Sequence, residues 1–225
     1  LGLLGMSCGE LTVAIAGFAG ALLHVINHAA FKGLLFLGAG AVAHGTGTRD
    51  MDRLGGLLKR MPRTGAAFAV GAAAIIGLPP LNGFISEFLI YLGAFKCALS
   101  DQPGTAIPAL AVVIGLALIG GLAAACFTKA FGISFLGEPR SESAVHAHEC
   151  GRAMWIPMLV LAAACAAIGL AAVPACRLVI RVIGDATGMD AFALDHVVAS
   201  LTPILKLAVV AGVAPAGAVG IRCQW

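Results

Sequence analysis

The sequence predicts an all-α fold: a polytopic transmembrane helix bundle of about five spans, one of them a broken helix. Three observations carry that prediction. Of the 225 residues, 60% are hydrophobic and only 11% are charged, whereas soluble domains average about 25% charged residues. Apolar stretches of about 20 residues, the length a helix needs to cross a bilayer, recur along the chain, and mean hydropathy is +1.00. One of these stretches is interrupted by paired prolines set between glycines. The formal net charge of +3 is small. The expected surroundings are a lipid bilayer, with no nucleic-acid partner.

The chain opens LGLLGMSCGE, with neither an initiating Met nor the basic start of a signal peptide. That reads as a piece of a longer protein, with LGLLGM the tail of an earlier span; the alternative is a small protein with a processed end. The first full span runs over roughly 11–43. The second, roughly 64–95, is too long for one straight crossing and breaks at Gly77-Leu78-Pro79-Pro80-Leu81-Asn82-Gly83. A third span covers roughly 106–136 and a fourth roughly 153–175. A fifth, roughly 201–221, is weakened by Pro203, Lys206 and Pro215. Between the last two, RLVIRVIGDATGMDAFALDHVV suggests a short helix lying at the membrane interface.

Basic residues are unevenly shared among the loops. Arg49, Arg53, Lys59, Arg60 and Arg63 crowd the 44–63 loop, Arg140 and Arg152 flank the 137–152 loop, and the 96–105 loop holds only Lys96. The positive-inside rule places the first two loops in the cytoplasm and 96–105 outside. The 176–200 segment then falls outside too, although Arg177 and Arg181 weaken the pattern.

Inside the first span, His24, His28 and Lys32 recur every four residues. On a helix they form one polar stripe about 12 Å long. Ionisable groups are costly at membrane depth and mark a functional site by default. Histidine titrates near neutral pH and a buried lysine lowers its pKa readily, so the stripe suits a proton relay. Two other readings stand beside it. HxxxH spacing can hold zinc, but Lys32 follows where another ligand is needed and repels a cation. The imidazoles can also serve as hydrogen-bonding glue between helices.

Helix breaks near the midplane are where transporters build ion sites. Just past this break come Ser86 and Glu87, and Glu87 is the one acidic residue between Asp52 and Asp101. It is a candidate proton carrier, half of a buried ion pair, or a headgroup-level carboxylate. Lys129 lies near the end of the third span, as part of the path or as a snorkelling anchor. Lys206 reads as an interface anchor, and His44 sits at the mouth of the first span. Seven cysteines (Cys8, Cys97, Cys126, Cys150, Cys165, Cys176 and Cys223) show neither a disulfide framework nor metal-ligand spacing. With no dinucleotide, phosphate-loop or haem pattern either, no cofactor is expected in this chain.

HVINHAAFKGLLFLGAGAVAHGTGTRDMDRLGGL followed by GLPPLNGFISEFLIY resembles the antiporter-like membrane subunits shared by complex I, Mrp antiporters and membrane-bound hydrogenases. CFTKAFGISFLGEPRSESAVHAHE and MWIPMLVLAAACAAIGL resemble most the hydrogenase-4 branch of that family. The resemblance extends to roughly residue 175 and implies two inverted repeats, each with a broken helix. It makes residues 1–136 the later helices of the second repeat and 137–225 a C-terminal transmembrane region. His24, His28 and Lys32 then match the family's HxxxHxxxK helix on the central polar axis. Glu87 matches the charged position after the broken helix, which is lysine in some paralogues. The first repeat's glutamate–lysine pair lies outside this chain.

The function this implies is proton translocation within a hydrogenase-4 or complex I-like oxidoreductase of the cell inner membrane. The redox centres would sit in partners: soluble hydrogenase and iron–sulfur subunits, alongside other membrane subunits. Protons would pass along His24, His28, Lys32 and Glu87, each step driven by a neighbour's charge. The alternatives are an Mrp-type cation/proton antiporter subunit and a structural anchor without a transport role.

Overall fold

A computed structural model describes residues 1–102, 104–188 and 191–218. Its helices are α1 (Gly2–Ser7), α2 (Leu11–Thr46), α3 (Leu57–Arg60), α4 (Pro62–Ile75), α5 (Asn82–Ala98), α6 (Ala106–Phe135), α7 (Glu142–Val145), α8 (Arg152–Leu170), α9 (Ala172–Thr187) and α10 (Ala191–Ala218). No strand occurs among the described residues. Among the described residues four helices are long and apolar enough to cross a membrane: Leu11–Thr46, Ala106–Phe135, Arg152–Leu170 and Phe192–Val213 within α10. The pair α4–α5 makes the further, broken traverse, and the chain is a multi-pass membrane protein.

The central element is α2. Its sequence is mostly Ala, Leu, Gly and Phe with no helix-interior proline, and Gly47 ends it in the left-handed conformation (φ 70) that favours glycine. The broken traverse runs antiparallel along it. Phe68 of α4 packs where Gly38 leaves room, and Leu34 and Leu35 cover Gly71. Past the break, Asn82 faces Asn27, Ile90 packs on Gly20, and Gly93 meets Ala16. The break therefore lies opposite residues 27–31 of α2, about midway along it.

The helix stops before the prolines arrive. Leu78 N–H donates to Ala73 O (3.0 Å) and Gly77 N–H to Ala74 O (3.2 Å), with Gly77 at φ 77. This is a Schellman cap, which satisfies the last carbonyls without water. Pro79 and Pro80 then prevent the helix from resuming until Asn82. Three glycines let other segments close on the break: Gly83 against the Ala74 carbonyl, Gly169 of α8 against the Pro80 carbonyl, and Gly212 of α10 against the Pro79 ring.

Three expectations are corrected. The fourth span ends at Leu170 rather than near 175. Pro174 has no N–H and its ring would clash with the Leu170 carbonyl, so it fits only the first turn of a new helix, α9. The segment 176–200 is not one short helix, because Gly188 (φ 68) ends α9 and α10 begins at Ala191. The apolar face of α9 (Cys176, Val179, Ile180 and Ile183) packs with Ile15, Ala19, Ile85 and Leu89 of α2 and α5. Finally, the last helix starts ten residues before the predicted 201 and continues through Pro203; positions 219–221 of that prediction, and Cys223, lie outside the described residues.

The two arginine-bearing loops meet at one end of the bundle. Gly56 N–H donates to Leu136 O (2.9 Å), Ser141 Oγ donates to Arg53 O (2.6 Å), and Lys59 pairs with Glu138 at 3.0 Å. Helix α6 leads into the second of these loops along the outside, carrying Ile107, Ile114, Leu118 and Leu122 on its exposed face.

Candidate functional site

The candidate site forms where the break faces the polar stripe of α2. Asn27, Asn82 and Ser86 are fully buried there. The Asn27 amide donates to the Asn82 carbonyl (2.8 Å) and to Ser86 Oγ (3.2 Å), and the Asn82 amide donates back to Asn27 Oδ1 at 3.2 Å. Asn82 Oδ1 in turn accepts the Gly83 N–H (3.0 Å). These are neutral groups that satisfy one another, which is what burial away from water requires. Among the described residues no buried side-chain nitrogen or oxygen lacks a hydrogen-bond partner.

His24 joins this knot through Nδ1, 3.1 Å from Ser86 Oγ. Ser86 has one proton, which it donates to Gly83 O at 3.0 Å. It therefore accepts from both Asn27 and His24, and the network assigns the neutral His24 proton to Nδ1. That leaves Nε2 as the atom able to take up or release a proton. His28 is one turn along, exposed, its ring 6.1 Å from His24 and 5.3 Å from Phe31. Lys32 is partly buried, its Nζ 5.8 Å from the centre of the Phe127 ring of α6. Farther along the same face, near Phe36, Gly40 and His44, a groove of about 920 Å³ opens toward Arg49.

Glu87 follows Ser86 on α5 and is partly buried. Its Oε2 lies 2.6 Å from where a Cβ on Gly77 would stand, so the carboxylate uses the space that this glycine leaves in the break. The structure thus brings His24, His28 and Lys32 onto one face and sets Glu87 beside the knot. Among the described residues no ion pair joins Glu87 to Lys32; the two elements are linked by the neutral Asn27–Asn82–Ser86 cluster. Lys129 is exposed on α6, two residues beyond Phe127. Asn82 and the cradle at Gly77 were missed by sequence reasoning. An asparagine inside an apolar span is itself a signal, since an amide at membrane depth needs partners.

A second polar cluster, also missed, sits at the other end of α4. Glu149 Oε2 accepts from the Arg63 N–H (2.8 Å) and Thr64 N–H (3.4 Å), and its Oε1 accepts from Thr64 Oγ1 and from the Cys150 N–H (3.3 Å). Arg63 extends over the Trp155 ring at 5.0 Å. Burial pushes the Glu149 carboxyl up, but the bonds from the Thr64 hydroxyl and the three amides outweigh it and hold the group below its ordinary range.

Comparison with known proteins gives a consistent picture. A sequence profile described as "NADH:quinone oxidoreductase/Mrp antiporter, TM" matches residues 1–116. The chain is 44% identical over 170 residues to hydrogenase-4 component B of Escherichia coli K12, covering 76% of this chain and 25% of that protein. It is 40% identical over 177 residues to formate hydrogenlyase subunit 3 of the same organism, covering 76% and 29%. It is 35% identical over 167 residues to Na(+)/H(+) antiporter subunit A1 of Staphylococcus haemolyticus, covering 69% and 20%. The chain thus spans under a third of the length of each of these relatives. Its fold is similar to a chain of the Mrp complex from Dietzia sp. DQ12-45-1b, with a TM-score of 0.61 and 21% identity over 89% of this chain and 42% of that one.

Proposed function

Because the chain belongs to the NADH:quinone oxidoreductase/Mrp antiporter transmembrane family, we propose that it forms the second half-channel of an antiporter-like subunit in a hydrogenase-4 or complex I-type assembly of the inner membrane. Its task there is to carry protons while partner subunits carry electrons. The observation that supports this most is the meeting of His24 with Ser86 at the broken helix, 3.1 Å apart and backed by the buried Asn27–Asn82 pair. That arrangement holds one imidazole nitrogen and frees the other. His28 and Lys32 continue the same face toward the groove at His44, and Glu87 offers a carboxylate on the far side of the knot. Like charges on neighbouring members of this row repel, so charge moves along it by repulsion. Water carries the proton over the gap to Glu87, since among the described residues no ion pair joins Glu87 to Lys32.

The test is made in the intact complex with Lys32→Ala and Glu87→Gln. Each is expected to lower proton movement per electron at least about tenfold, as loss of a relay group does, while electron transfer persists. Wild-type stoichiometry in both variants would remove the reading. The resemblance to antiporter subunit A1 and to the Mrp fold supports a second reading, cation/proton exchange. Transport in vesicles that needs sodium and fails in choline buffer would favour it.

A further inference from the structure

The first half of the broken helix has no cap of its own. Met61 stands at its N-cap position and makes no side-chain hydrogen bond, while Pro62 at N1 brings no N–H. The open amides of Arg63 and Thr64 are instead met by one carboxylate from a loop 85 and more residues away. The same carboxylate takes the hydroxyl of Thr64, a fully buried side chain. A negative charge at a helix N-terminus is favourable both as an acceptor and against the helix dipole. The next residue of that loop, Cys150, is buried with its thiol 3.6 Å from Thr64 Oγ1, and α8 starts two residues later, at Arg152.

The opposite end of α4 is the break, where its Ala74 carbonyl bears on Gly83 and its cap residue Gly77 accommodates the Glu87 carboxylate. A helix of 14 residues is about 21 Å long and stiff along its axis. Whatever sets its position at one end sets it at the other. Helix α8 spans the same interval, beginning at Arg152, three residues past Glu149, and reaching Gly169 on the Pro80 carbonyl.

We propose that Glu149 is a positioning residue for the mid-membrane site: by capping α4 from the neighbouring loop it fixes how far the first half-helix reaches, and so where Gly77 holds Glu87. The inference rests on the proposed transport role for its functional readout, and on Cys150 for an independent one.

The experiment compares Glu149→Ala and Glu149→Gln with the parent in the full-length subunit within its membrane complex. Maleimide modification of Cys150 is followed by peptide mass spectrometry, with exposed Cys126 as the internal control, and protons moved per electron are measured on the same membranes. Glu149→Ala is expected to speed Cys150 modification about tenfold or more, since local opening follows from the loss of several hydrogen bonds. It should also lower the proton-to-electron ratio while electron transfer continues. Glu149→Gln should restore much of both, because its carbonyl can accept from the two α4 amides while its NH₂ donates to Thr64. Where the alanine variant fails to assemble, Thr64→Val and the glutamine variant carry the same comparison.

Unchanged protection of Cys150 would overturn the clamp. Faster modification with an intact ratio would overturn the positioning. A Glu87→Gln control separates the two failures. If it too leaves the ratio intact, the transport role falls and the positioning with it. If it lowers the ratio where Glu149→Ala does not, the positioning alone falls.

Discussion

The two ends of α4 meet the same need by different chemistry. At the break, the orphan carbonyls of Ala73 and Ala74 are closed by a Schellman turn at Gly77. The polar side chains nearby are amides, a hydroxyl and an imidazole, arranged so that each donor has an acceptor. At the loop end, the orphan amides are closed by an ionised carboxylate. The difference follows the surroundings. A charge near water is cheap and makes a strong cap, whereas at depth neutral groups that satisfy one another cost far less than a fixed ion. The ionisable side chains Lys32 and Glu87 stand at the margin of the neutral knot.

The sharpest way to break this contrast is to crowd the break. Gly83→Ala places a methyl on the Ala74 carbonyl. Backbone cannot give way as a side chain does, so a loss of about 1–3 kcal/mol or more is expected, read as a lower Tm of the detergent-solubilised subunit. Gly40→Ala is the matched control, because a Cβ there meets nothing within 4 Å. Equal behaviour of the two would mean that close approach at the break is not what holds it together.

Asn27→Leu is the next largest. It strips the Asn82 carbonyl and amide of their partner and should cost about 1–3 kcal/mol in the same measurement, with the lower end favoured if the chain finds new partners in the membrane. An unchanged Tm would show that the knot is not a structural element.

At the loop end the effect should depend on pH. The folded-state pKa of Glu149 lies below its ordinary value, so its contribution is complete above the ordinary glutamate range and is lost as pH falls through the lowered folded value. Acidification should therefore lower the Tm of the parent more steeply than that of Glu149→Gln, which has no such proton to gain. Parallel curves would count against an ionised cap. The smallest effect is expected from Lys59→Ala. Both partners of its ion pair with Glu138 are largely exposed, at 71% and 80%, and such pairs change stability by about 0.5 kcal/mol or less.

Much of this fold is legible in the chain because its signals are local. The spans beginning near Leu11 and Ala106 coincide with helices within a few residues, since apolar length alone marks them. The break is legible in Gly77, Pro79, Pro80 and Gly83, although the helix ends at Ile75, and the φ of 77 at Gly77 that closes it is a property of the backbone that spelling does not display. Pro174 and Gly188 carried equally local information about α8 and α9 that the apolar run around them masked. The site was half legible. Histidines and a lysine every four residues announce a face, but nothing in a sequence says that Asn82 and Ser86, 55 and 62 positions away from Asn27 and His24, close over it.

By itself, then, the chain determined that it lies in a membrane, where the first and third spans run, where one crossing is interrupted, and which face of α2 is polar. These depend on hydrophobic length, on proline and glycine chemistry, and on the 3.6-residue period, all of which act over a few turns. Only the packed bundle decided that the interruption sits opposite that face, that Gly77 makes room for Glu87, and that Glu149 caps a helix formed more than 80 residues earlier. Those pairings are set by how helices cross and where glycines let them approach, and that geometry exists only once the whole set of helices has come together.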